Sequence, residues 1–77
     1  MNKKYFLAEL NSYEKWYHCI KLYKVESEAF LRKHLEKTMA SDMYIVEIKE
    51  VDYENDRENI MKKVSVECKM YHDYEEI

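Results

Sequence analysis

Hydrophobic and polar positions change period along the chain. Lys4 to Leu10 alternates, with Phe6, Ala8 and Leu10 against Tyr5, Leu7 and Glu9. A period of two predicts a strand, and apolar residues in both sets predict two partly covered faces. Asn11, Ser12, Tyr13 and Glu14 supply turn chemistry, because Asn and Ser side chains bond their own backbone. Lys15 to Val25 alternates again: Trp16, His18, Ile20 and Leu22 share one face, and Tyr17, Cys19, Lys21 and Tyr23 share the other. The two strands are expected to form an antiparallel hairpin. From Ser27 to Ala40 the period lengthens. Phe30, Leu31, Leu35 and Met39 recur at steps of about four, with Arg32, Lys33, Glu36 and Lys37 on the opposite arc, which predicts an amphipathic helix. Ser27 can cap its first turn. Glu26 and Glu28 sit where the helix dipole favours anions; Lys33, His34 and Lys37 lie toward the end that favours cations.

Ser41 and Asp42 end the helix, and Met43 to Val51 returns to alternation. Tyr44, Val46 and Ile48 are expected on one face, and Ile45, Glu47, Lys49 and Val51 on the other. Asp52 to Asn59 is acidic and polar and reads as a loop. Met61 to Tyr71 reads as a last strand, with Val64, Val66, Cys68 and Met70 inward and Ser65, Glu67, Lys69 and Tyr71 outward. A helix competes with it only over Glu58 to Lys63. His72 to Ile77 reads as a short, frayed acidic tail. The expected fold is therefore α+β, in the order ββαββ. It is a four-stranded, mainly antiparallel sheet with one helix packed on one face, forming a single domain over residues 1–77.

Composition narrows the function more than it names one. A chain of 77 residues buries only about 60 % of its unfolded surface, so a second copy or a partner would add needed stability. Hydrophobic residues at 47 % suffice for a core. The complete lack of Gly and Pro excludes phosphate-cradling loops, which need a backbone free of Cβ. Cys19 and Cys68 lack the paired spacing of a zinc site and read as small buried or half-buried hydrophobes. His18, His34 and His72 form no ligand cluster by spacing, and His18 and Cys19 point to opposite faces, so they cannot act as base and nucleophile. No catalytic, cofactor-binding or metal-ligating set is expected, and no enzyme. No apolar run approaches the roughly 20 residues of a membrane span. The apolar stretch after Met1-Asn2-Lys3-Lys4 is too short for a signal peptide, so a cytoplasmic protein is expected.

Charge is unevenly spread. Residues 1–40 carry a net +3 and residues 41–77 a net −6, giving −3 for the chain. With one helix, half of the sheet is expected to stay open and to present Tyr17, Lys21, Tyr23, Lys49, Lys69 and Tyr71, beside Cys19, Ile45, Glu47, Val51 and Glu67. Such a face can be solvated and laced with cross-strand ion pairs, such as Lys49 with Glu67. It can instead be a partner surface or a homodimer surface, since tyrosine, present eight times, joins a large apolar ring to a hydrogen-bonding tip. A third reading stacks RNA or single-stranded nucleic acid on the tyrosines, against which Glu47 and Glu67 repel phosphate. The stretch Asp52, Glu54, Asp56 and Glu58, with Asp73, Glu75 and Glu76, could imitate the charges of a nucleic-acid backbone and occupy the basic groove of a nucleic-acid-binding partner.

In length, absence of Gly and Pro, and abundance of Tyr, Lys and Glu, the whole chain resembles the short proteins that phages of low-GC bacteria encode to redirect or disarm their hosts. The resemblance implies an inhibitor that blocks a host macromolecule, a nucleic-acid-binding or defence protein, in the host cytoplasm without catalysis. The leading expectation is a small non-enzymatic binding protein. A nucleic-acid-binding module and a structural homodimer without further partner are the alternatives.

Overall fold

The computed structural model describes residues 2–14, 16–65 and 73–77. Strand β1 (Lys4–Ser12) and strand β2 (His18–Val25) form the expected antiparallel hairpin, in a register running from Lys4 opposite Val25 to Asn11 opposite His18. With no glycine available for a two-residue primed turn, a longer connection is used. Ser12 closes it: its backbone N–H donates to the Tyr17 carbonyl at 3.0 Å, and its Oγ accepts from the Tyr17 N–H at 3.3 Å. The Ser12 side chain is fully buried but satisfied.

Helix α1 (Glu28–Thr38) begins where Ser27 Oγ accepts from the Phe30 N–H at 3.1 Å, with Glu28 in its first turn and Lys37 in its last. It ends at Met39, whose N–H still reaches the Leu35 carbonyl at 2.8 Å. Leu31 and Leu35 are buried and Met39 packs beside them, whereas Phe30, one residue round from Leu31, faces solvent. Strand β3 (Met43–Val51) pairs antiparallel with the free side of β1. Helix α2 (Tyr53–Lys63) follows, and strand β4 (Glu75–Glu76) pairs in parallel with β2. The sheet is thus mixed, in the order β3-β1-β2-β4.

A helix lies on each face of this sheet. On the α1 side, Phe6, Ala8, Leu10, Cys19, Tyr23, Val25 and Ile48 pack with Leu31 and Leu35. On the α2 side, Leu7 and Leu22 pack with Tyr53, Ile60 and Val64, and Tyr5, Ile20 and Val51 join from the edges. β1 and β2 are apolar on both faces because both are covered.

Three sequence expectations change here. First, the acidic loop from Asp52 and the start of the last strand are one helix. Tyr53, Ile60 and Val64 fall on a single helical face, acids (Glu54, Asp56) stand in the first turn, and Lys62 and Lys63 in the last. The helix kinks at Asp56, whose φ of −128° and ψ of 29° leave the helical region. Residues 66–71 of the expected strand, with Cys68, Glu67, Lys69 and Tyr71, and the tail residue His72 lie outside the described residues. Second, the end expected to fray instead carries β4, and the Ile77 N–H donates to the Lys24 carbonyl at 3.0 Å. Third, β3 does not alternate throughout. Glu9 faces Glu47 but Leu10 faces Ile45, so Val46 is the extra residue of a bulge. The bulge brings Ile45 and Ile48 to the same α1 side and leaves Lys49 and Val51 on the α2 side.

Candidate functional site

The open tyrosine face expected from the sequence does not form. Tyr23 is only 2 % exposed, beneath α1, and Tyr17 is half-buried against the same cluster. Lys21 is half-buried opposite Ala8, on that face, while Lys49 is exposed on the other. These residues therefore do not share one surface. Lys69 and Tyr71 lie outside the described residues. Asp52, Glu54, Asp56 and Glu58 are all exposed. Asp52 precedes the helix as its cap and Asp56 is its kink, so the four do not continue one regular row along α2. Asp52 and Asp56 are also engaged locally, each accepting from an amide (Asn55 Nδ2 and Asn59 Nδ2) at 2.7 Å.

What the fold does leave open is the end of the sheet where the β1–β2 connection and the start of β3 meet. Tyr13 is 68 % and Trp16 67 % exposed. The Tyr13 N–H donates to the Asp42 carbonyl at 2.8 Å, which ties the hairpin connection to the turn before β3. Tyr13 then lies on Tyr44, with ring centroids 5.0 Å apart and planes tilted by 33°. On the other side of the connection Trp16 lies on Tyr17 at 5.6 Å. Four aromatic rings thus gather at one end, and the bulge residue Val46 is exposed nearby on β3. Glu14 and Asp42 stand in the two turns; behind them His18 Nε2 lies 2.8 Å from Glu9 Oε2.

A second aromatic group fixes α2 to the chain terminus. The ring centroids of Tyr5 and Tyr53 are 4.8 Å apart, those of Tyr5 and Tyr74 5.4 Å, and those of Tyr53 and Tyr74 5.7 Å. Lys24 Nζ lies 5.5 Å from the Tyr5 ring and 5.9 Å from that of Tyr74, within cation–π range. The neighbouring Tyr5 phenol is the main influence holding the Lys24 ammonium above the ordinary lysine pKa, against a smaller opposing effect of desolvation. Tyr53 OH donates to Asp73 Oδ2 at 2.7 Å, and Arg57 donates to the same oxygen. Burial and then the Asp73 carboxylate push the Tyr53 phenol above its usual pKa, and the hydrogen bond to Asp73 raises that of Arg57. An open groove of about 570 Å³ beside this latch is lined by Arg57, Glu58, Met61, Lys62 and Asp73. The Arg57–Asp73 ion pair and the Tyr53–Asp73 hydrogen bond beside it tie Asp73 to α2.

Among the described residues no group of three His, Cys, Asp or Glu side chains is placed to hold a metal ion. Cys19 is a free, buried thiol. No described helix is long and apolar enough to cross a membrane. The exposed aromatic end could be found in the sequence only through its turn: Tyr13 and Trp16 flank a connection, where side chains have no sheet face to enter. No family model, curated protein or solved structure matches the chain.

Proposed function

We propose that the chain is a small non-enzymatic binding protein that docks on a partner protein through the aromatic end formed by Tyr13, Trp16 and Tyr44. One observation carries this reading. Two large rings that are two-thirds exposed stand on one hairpin connection, whose ends are tied by Ser12 and by the Tyr13–Asp42 backbone bond. Tyr and Trp are the residues that dominate protein interfaces, because they bury much apolar area while losing few rotamers. Rings fixed by a scaffold lose still less freedom on binding. The likeness to short phage proteins adds that the partner is a host macromolecule, blocked by occupation. Glu14 and Asp42 in the two turns of the same end favour a partner with a basic rim and disfavour nucleic acid, whose phosphates they would repel.

The test pairs Tyr13→Ser with Trp16→Ser and compares native and variant chains as baits in a lysate of the native host. Both positions are surface positions, so circular dichroism should be unchanged. A protein retained by the native chain should be lost from the variant. Identical retention by the two baits contradicts the assignment. A gel shift with single-stranded RNA at low salt should show no complex; a complex whose affinity falls steeply with salt would move the reading to nucleic acid.

A further inference from the structure

β3 is an outermost strand of the sheet. Among the described residues nothing pairs with its outer side; Ser65 and β4 are both held on β2, at the opposite edge. A strand of nine residues with a free row of N–H and C=O groups is a template for another strand. Natural edges are guarded by charge, and this one carries Glu47, Lys49 and Glu50, all exposed. Their arrangement selects a partner as well as guarding the edge. Glu47 stands directly opposite Glu9 across the β1–β3 ladder, a like-charge pair, and Glu9 is already engaged by His18. Among the described residues neither Glu47 nor Lys49 has an ion-pair partner.

We infer that the outer edge of β3 pairs antiparallel with β3 of a second copy, about a two-fold axis at Ile48. An isologous antiparallel pair must place one residue opposite its own copy. Centring on Glu47 sets two glutamates face to face, and centring on Lys49 sets two lysines. Centring on Ile48 sets Glu47 of each copy opposite Lys49 of the other, twice, on the same face of the sheet. The regular part of β3 beyond the bulge, residues 47–51, contains all of these positions. In this arrangement the second copy's lysine also stands beside the Glu47–Glu9 pair and relieves its repulsion. The inference is independent of the aromatic end, which lies past the bulge at the start of the strand.

Sedimentation equilibrium of the full chain at low salt, over concentrations up to about 1 mM, reads the dimer directly. The native chain should associate reversibly, and salt should weaken it. Glu47→Lys alone and Lys49→Glu alone should each raise the dimer dissociation constant by at least about tenfold, since each turns two attractions into two repulsions. The double variant Glu47→Lys with Lys49→Glu should return it to near the native value. Both positions are exposed, and unchanged circular dichroism certifies the fold. A native chain that stays monomeric, a dimer indifferent to either single reversal, or a double variant that is not rescued overturns the inference. Tyr13→Ser with Trp16→Ser should leave the dimer unaltered, which separates this interface from the proposed docking end.

Discussion

Burial and the Asp73 carboxylate act on the Tyr53 phenol in the same direction, both favouring its neutral form and raising its pKa above 10.0. The folded chain therefore holds a proton that the unfolded chain has released once pH exceeds about 10. The stability this contributes is full below pH 10 and is lost as pH rises through the raised value. Tyr53→Phe removes the titrating group and its 2.7 Å bond to Asp73. Urea titrations should show it less stable than the native chain by roughly 0.5–1.5 kcal/mol at pH 8. The gap should narrow as pH is raised above 10. A gap that stays constant into the alkaline range would mean the phenol titrates alike in both states. At this scale the sequence is informative where burial is decided locally, as for Cys19, a buried thiol as expected. It is uninformative for Tyr5, Tyr53 and Tyr74, which meet only because β1, α2 and the terminus converge.

The two helices differ in how openly the sequence declares them. α1 has a serine cap, a stripe at steps of about four and few competing signals, and it spans almost the residues its periodicity predicts. α2 carries only Tyr53, Ile60 and Val64 buried in a run of acids and amides that reads equally well as a loop. Its apolar positions are spaced by a whole two turns at the start, so a short window misses the period. Its cap is weaker too. Asp52 accepts from the Asn55 side chain and makes no side-chain bond to a backbone N–H, whereas Ser27 caps the Phe30 N–H directly. Ser27→Ala should therefore cost about 1 kcal/mol in thermal or urea unfolding, and Asp52→Ala distinctly less. Equal losses would contradict the difference in capping. Met43–Val51 is legible to the residue as a strand, but its faces are not, because a bulge at Val46 depends on the register with β1.

For the whole molecule, the consequence of α2 is that neither sheet face is left bare. The signal was present in β1 and β2, whose Leu7 and Leu22 oppose Phe6, Ala8, Cys19 and Tyr23 across the sheet; a strand with apolar residues on both sides asks for cover on both. A second layer of helix accounts for that pattern better than one helix and an open tyrosine face. The large rings that stay exposed, Tyr13 and Trp16, lie at the sheet's end, on a connection that escapes both helices. Photochemically induced nuclear polarisation, which enhances the signals of only those Tyr and Trp rings that a dissolved dye can touch, tests this directly. Trp16, the single tryptophan, and Tyr13 should give strong enhancements, while Tyr23 and Tyr53 should give none. Strong enhancement of Tyr23 with Trp16 silent would restore the open sheet face and contradict the account.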